Sequence, residues 1–251
     1  EAMKDGYNVM ICQSNESYER EADCIDALMS ARVDGLLVSI SRETEDLAHL
    51  KKVVDEGTPM VFFDRLVQGM NAPSVIVDDY QGAYDAVEHL IKQKSKHIVH
   101  LAGPDNLIIS RKRTEGYISA LEDHELPINQ ENIIECRNGT VEEAEAALSK
   151  LLENGHAIDG VFANNDMAAL GALKAVQKAQ LKCPEDIAII GFSNWQFSSL
   201  VNPGLSSVAQ PGYEMGREAA RLMLEEINSK EKATNHVSIF DTDLVIRESS
   251  S

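Results

Sequence analysis

No apolar run in this sequence approaches the roughly 20 residues that a bilayer-spanning helix needs, so a helical membrane span is excluded. The opening residues, Glu1 to Gly6, lack the basic and apolar regions of a secretory leader, which makes the cytoplasm the expected compartment. Cysteine is sparse: Cys12, Cys24, Cys136 and Cys183 stand far apart, form no C-x-x-C pair and have no histidine at zinc spacing. Packed, reduced thiols are therefore expected, rather than disulfides or metal ligands. Positive charge is also in deficit. With 23 Lys and Arg against 41 Asp and Glu, the net charge of −18 argues against any large basic surface of the kind that neutralises phosphates.

Catalytic signatures are missing as well. The sequence contains no G-x-G-x-x-G after a strand, no G-x-x-x-x-G-K-[ST], no H-E-x-x-H and no G-x-S-x-G. His89, His97, His100 and His124 are scattered over helices and strands and share no face. The pair Asp78 and Asp79 reads as a turn and helix cap rather than acid/base machinery. A non-enzyme with no metal and no cofactor is the expectation.

What is present is a regular alternation. Short β-rich apolar runs at 8–12, 35–39, 60–63, 74–77, 97–102, 132–136, 160–163, 187–191 and 237–240 predict strands. Amphipathic stretches at about 17–31, 45–56, 80–93, 110–124, 141–153, 167–180 and 213–229 predict helices between them. Alternating strands and helices imply βαβ units, and hence an α/β fold with parallel sheets. Thr140 and Glu143 form a capping-box pattern at one helix start, which leaves Asn138 and Gly139 in the preceding loop. The terminal Ser249, Ser250 and Ser251 read as a tail.

The most specific stretch follows the apolar run 187–191. Phe192, Ser193, Asn194 and Trp195 are followed by N-P-G-L-S-S-V at 202–208 and by Gln210 and Pro211. Polar residues emerging at a strand's carboxyl end are where open α/β sheets place ligands, which suggests a sensor site. The stretch resembles the effector-domain signature of the lactose-repressor (LacI/GalR) family of bacterial transcription factors: G-F-D-D/N, P-x-L-T-T/S-V and Q-P in that order. Further segments are similar to family motifs: D-G-L-L-V at 34–38, T-P-M-V-F-F-D-R at 58–65, and V-D-D with G-A and H-L-I between 77 and 91. S-R-K-R-T-E-G-Y at 110–117, N-D-M-A-A-L-G-A at 165–172 and L-V-I-R-E-S-S at 244–250 complete a likeness covering nearly the whole chain.

The resemblance implies two doubly wound parallel-sheet subdomains of the periplasmic-binding-protein type, joined by three crossovers with the effector between them. Residues 1–77 and 209–234 would form the amino-terminal subdomain, and 78–208 with 235–251 the carboxyl-terminal one. Residues 6–9 correspond to the family's second strand, so the first strand, the hinge helix and the basic helix-turn-helix headpiece lie outside this sequence. The implied partners are a small-molecule effector, operator DNA through the headpiece alone, and a second copy of the chain in a homodimer.

The effector residues carried over are Asp64, Arg113, Asn165, Ser193 and Asn194, with Leu107, Ile109 and Trp195 as further lining. Each has a plain structural alternative. Asp64 is an acceptor for hydroxyls, or a turn cap paired with Arg65; Arg113 is a fork of donors, or a surface salt bridge. Asn165 and Asp166 compete for a helix cap, and alignment gives the cap to Asp166 and the ligand to Asn165. Trp195 can stack on a ligand or act as a core or subdomain-packing anchor. Ser193 and Asn194 replace the usual acidic pair, Gly139 stands where the family has a stacking aromatic, and Leu107 and Ile109 replace positions that are often polar. A pocket with a more apolar wall and no anion there suits an effector that is anionic or less rich in hydroxyls than a plain sugar. Alternatives from other classes are a periplasmic sugar-binding protein and an α/β enzyme acting on a small polar substrate.

Overall fold

Runs of Val, Ile, Phe and Ala with no polar interruption form strands only where both sheet faces are covered, and that condition is met twice in this chain. The structure is a computed structural model in which residues 2–229 and 235–251 are described. Its elements begin with α1 (Tyr18–Ser30), β1 (Leu36–Val38), α2 (Ala48–Asp55), β2 (Met60–Phe63), β3 (Ser74–Val77) and α3 (Asp79–Lys92). They continue with β4 (Ile98–Ala102), α4 (Ile108–Asp123), β5 (Ile133–Glu135), α5 (Val141–Glu153), β6 (Gly160–Ala163) and α6 (Asp166–Lys178). The last are β7 (Ala188–Ser193), β8 (Ser206–Ala209), α7 (Gly212–Asn228), β9 (Val237–Phe240) and β10 (Asp243–Val245). Two compact units result, Glu1–Val77 with Pro211–Phe240 and Asp78–Gln210 with Asp241–Ser251.

The first unit is a parallel sheet in the order β1-β2-β3-β9. Successive residues of β2 point to opposite faces. Met60 and Phe62 pack with Ile25, Leu50 and Val53 from α1 and α2, while Val61 packs with Val75, Val77 and the Met215, Leu222 and Met223 side of α7. Each such large side chain, fully buried, contributes about 1.5–3 kcal/mol.

The second unit orders its strands β10-β8-β7-β6-β4-β5, all parallel except β10, which runs antiparallel to β8. α3 and α4 cover one face, where Val87, Leu90 and Tyr117 cluster with Phe162 of β6. α5 and α6 cover the other, where Leu148, Ala169 and Val176 cluster with Ile189 of β7. Gly116 permits the α3–α4 approach, because a Cβ there would run into the Tyr80 carbonyl and come within 2.9 Å of the Tyr84 nitrogen.

Four expectations are corrected. Residues 8–12, predicted as a strand, make no ladder bonds. Residues 7–10 instead line a cavity of about 500 Å³ shared with Gly35, Leu36 and Leu37 beside β1. β8 and β10 were not predicted, being too short and too polar for an apolar-run criterion. β9, assigned by resemblance to the carboxyl-terminal subdomain, pairs with β3 in the first unit, and the expected boundary at 234 lies outside the described residues. The serine ending is no tail. Ser249 and Ser250 are buried, Ser249 Oγ donates to the Ile189 carbonyl at 2.6 Å, and Ser250 Oγ donates to Ser206 Oγ at 2.7 Å.

Candidate functional site

The carboxyl ends of β4, β6 and β7 carry most of the predicted residues within the second unit. Arg113, in the second turn of α4, is not a surface ion pair. It is 4% exposed and donates from Nε and Nη2 to Asp79 Oδ1 at 2.8 and 2.7 Å, and from Nη1 to the Asn164 carbonyl at 2.5 Å. Its guanidinium carbon lies 3.6 Å from the Phe192 ring centroid, a cation–π contact. Asp79 opens α3 and is itself 5% exposed. Burying both ions carries a desolvation cost of several kcal/mol per ion, and removing one partner typically costs about 3–5 kcal/mol. The pair therefore fixes the guanidinium in one place.

The cap that alignment gave to Asp166 belongs to Asn165, and Asp166 is tied into a buried network instead. Asn165 is the N-cap of α6, its Oδ1 accepting from the Ala168 amide at 2.8 Å. Asp166, 1% exposed, accepts from Ser207 Oγ at 2.6 Å, Ser198 Oγ at 2.7 Å and the Trp195 amide at 2.7 Å. Burial pushes its carboxyl above the ordinary range, against the pull of these three donors and Arg247. It thereby ties α6 to β8 and to the loop after β7.

That loop is strained. Ser193 and Asn194 have φ of 105° and 49°, left-handed conformations that cost a residue with a side chain about 1–3 kcal/mol and cluster at functional sites. Asn194 is held by its amide donating to Ser207 Oγ at 2.9 Å and by Arg247 Nη2 donating to its Oδ1 at 2.8 Å. Trp195 is 54% exposed and meets the Phe197 ring edge-on at 5.5 Å, so it is not buried in the core of the second unit. Leu107 and Ile109 are buried at the start of α4. Gly139, φ 58°, sits against the Asn165 amide, where a Cβ would collide. Half of the Thr140 capping box forms, Thr140 Oγ1 accepting from the Glu143 amide at 3.3 Å, while the Glu143 carboxylate accepts from the Asn138 and Gly139 amides one and two residues before the cap.

Asp64 belongs to the first unit. It follows β2 with φ 64° and a side chain 37% exposed. Arg65 is only 4.0 Å from it and binds elsewhere, to both Glu16 carboxylate oxygens at 2.7 and 2.8 Å and to the Ile40 carbonyl at 2.6 Å.

Two polar atoms were missed in the sequence. Ser110 Oγ and Asn164 Oδ1 are buried and lack a hydrogen-bond partner, and both side chains crowd the space above Gly103. Such an orphan costs about 1–3 kcal/mol. The signals were present, since Ser110 opens the S-x-x-R pattern and Asn164 precedes the N-D pair. Among the described residues no three His, Cys, Asp or Glu side chains are arranged to hold a metal.

Parallel α/β units with polar loops at the carboxyl strand ends define a binding domain of the periplasmic type, and residues 87–250 match the family of periplasmic binding protein-like domains. A ribose operon repressor of Halalkalibacterium halodurans is 33% identical over 97% of this chain and 70% of its own length. The transcription regulator CcpA of Lactococcus lactis superposes with a TM-score of 0.89 at 26% identity, over 100% of this chain and 90% of that one. A LacI-family regulator from Enterococcus faecium, crystallised with bound ribose, superposes at 0.83 with 26% identity and the same coverage. The chain belongs to the LacI family of transcriptional regulators, as the effector-binding domain of the periplasmic-binding-protein-like type.

Proposed function

We propose that this domain binds a sugar-like or related polar metabolite against the carboxyl ends of β4, β6 and β7, and that binding controls operator DNA recognition by a helix-turn-helix outside these 251 residues. The observation that carries the site is the Arg113–Asp79 pair beside the unpartnered Ser110 Oγ and Asn164 Oδ1. A fixed, desolvated guanidinium offers further N–H donors, and two orphan atoms close by lack only the hydroxyls or water-bridged groups of a ligand. Leu107 and Ile109 supply the apolar wall, and Asn194 and Trp195 the loop above it. Ribose is bound by one relative's structure and is the first compound to try. A cytoplasmic homodimer is the form in which two copies would present two DNA-binding heads to a two-fold operator.

A thermal-shift screen of ribose, other pentoses and hexoses, their phosphates and acids, and nucleosides tests the reading. A ligand at about 100 times its dissociation constant stabilises by roughly 2.7 kcal/mol. Calorimetry on the best ligand with Ser110→Ala and Asn164→Ala should show affinity reduced about tenfold with no loss of fold stability, because each change removes a buried unsatisfied group. Affinity unchanged in both variants removes this site from consideration.

A further inference from the structure

Two asparagines in the second unit are followed by glycine, Asn138–Gly139 and Asn154–Gly155. Such a pair can react with itself, because glycine has no Cβ to shield its amide nitrogen from closing a five-membered ring onto the asparagine carboxamide. Ring closure requires the torsion that relates the asparagine nitrogen to the glycine nitrogen to turn until the latter faces Cγ. Whatever holds those two amides therefore decides whether the ring forms. At 138–139 they are clamped: one carboxylate oxygen, Glu143 Oε2, accepts from the Asn138 amide at 2.8 Å and from the Gly139 amide at 3.0 Å. Gly139 also donates to the Cys136 carbonyl at 3.0 Å. At 154–155 only the end of a helix does the holding. Asn154 is the C-cap of α5, both residues are exposed, and an added Cβ on Gly155 would meet nothing within 4 Å. The Asn154 amide donates to the Lys150 carbonyl at 3.2 Å and the Gly155 amide to the Leu152 carbonyl at 3.0 Å, neutral bonds of a last helical turn, which open most readily. We propose that Asn154–Gly155 is a self-modifying site, where the carboxamide is lost through a succinimide to leave aspartate or isoaspartate, and that Glu143 guards Asn138–Gly139 from the same reaction.

The chemistry balances with water as the one co-reactant. The Gly155 amide nitrogen attacks Asn154 Cγ, an N–C bond forms, the Cγ–Nδ2 bond breaks, and ammonia leaves with the proton that the amide gives up. Water then adds to either carbonyl of the succinimide, a ring C–N bond breaks, and a proton returns to the nitrogen. Opening at Cγ gives aspartate; opening at the main-chain carbonyl gives isoaspartate, in which the chain runs on through the side-chain carbonyl. By either route a neutral carboxamide and water become a carboxylate and ammonium. The new charge stands at the negative end of the α5 dipole and next to Glu153, an unfavourable position that loosens the last turn further. At 138–139 the same reaction must first break hydrogen bonds to a charged acceptor, which are stronger than the neutral ones at the helix end.

The experiment keeps the 251-residue chain folded at mildly alkaline pH in heavy-oxygen water, with a parallel sample unfolded in guanidinium chloride, and follows both over time by tryptic mapping. Cleavage after Arg137, Lys150 and Lys174 puts the two pairs on separate peptides, 138–150 and 151–174. The expected result in the folded chain is a heavy oxygen in place of the carboxamide nitrogen at residue 154, as aspartate and isoaspartate. Residue 138 should convert about ten- to hundredfold more slowly, the factor that a hydrogen bond to a charged group implies. In the unfolded sample the two rates should converge. Glu143→Ala should raise the rate at 138 toward that at 154 while leaving 154 unchanged, and Glu143→Gln, which keeps a neutral acceptor, should fall between. Conversion at 138 as fast as at 154 in the folded chain, an intact Asn154 there while both pairs convert unfolded, or a Glu143→Ala variant as slow at 138 as the natural chain each overturns the proposal.

Discussion

His100 shows how one residue's surroundings set its chemistry. It lies on β4 between the rings of Tyr117 and Phe162, at 5.2 and 4.9 Å, and its Nδ1 donates to the Phe162 carbonyl at 3.1 Å. Burial, with a smaller push from Arg113, lowers its pKa to about 4 from an ordinary 6.5. The unfolded chain therefore takes up a proton as pH falls through 6.5, while the folded chain resists until near 4. The stabilisation from a neutral His100 is full above pH 6.5 and is lost progressively down to about 4, a difference of about 3 kcal/mol. Urea unfolding at several pH values across that window should show stability falling for the natural chain and a distinctly shallower fall for His100→Phe. Equal slopes would assign the acid sensitivity to other groups. Nothing in the sequence distinguished His100 from His89, His97 or His124, because burial is a property of the folded sheet. The same limit explains why the cap fell to Asn165 rather than Asp166: both residue types cap helices well, and the folded positions of Trp195, Ser198 and Ser207 draw Asp166 inward.

At the scale of elements, the long periodic segments were legible and the short polar ones were not. The seven helices predicted from amphipathic spacing are all present among the described residues, with starts displaced by up to three residues, as at Ala48 and Ile108. β8 is spelled Ser-Ser-Val-Ala and is buried through hydroxyls that find Arg247 and Asp166, so hydropathy gave no sign of it. Residues 8–12 have a strand's composition, but a strand needs a ladder partner. Two helix glycines make opposite predictions. Gly116→Ala gains about 1 kcal/mol of helix propensity but drives a methyl into the Tyr80 carbonyl, so overpacking should win and the variant should lose about 1–3 kcal/mol. Gly216, in α7, has nothing within 4 Å of its added Cβ, so Gly216→Ala should stabilise by about 0.4–1 kcal/mol. Thermal unfolding of both variants decides the matter, and stabilisation by both would mean that α3–α4 packing is looser than the structure shows.

For the whole molecule, charge was the most legible property, and it bears on DNA. The surplus of 41 acidic over 23 basic residues is reinforced by how the basic ones are used. Arg113 is buried against Asp79, Arg65 is held by Glu16, Arg221 lies between Glu218 and Glu225, and Lys174 pairs with Glu145 at 2.9 Å. Duplex binding draws on counterion release, with a slope of about −0.9 per phosphate neutralised in log affinity against log salt. A chain in which acidic residues outnumber basic ones by 41 to 23 has little net positive surface with which to displace counterions. The 251-residue chain should therefore bind duplex DNA no better than an unrelated acidic protein, even near 50 mM salt. Fluorescence anisotropy with labelled duplexes, including the promoter region upstream of its own gene, would check this across a salt series. Sequence-specific binding by these residues alone would place operator recognition in the effector domain and end its assignment to a separate helix-turn-helix. If a longer chain carrying that element binds the operator, linkage requires the effector to change DNA affinity by the same factor by which DNA changes effector affinity. Calorimetric titration of effector with and without operator then measures one coupling energy from both sides, and a mismatch between the two factors would show that effector and DNA do not share a single two-state equilibrium.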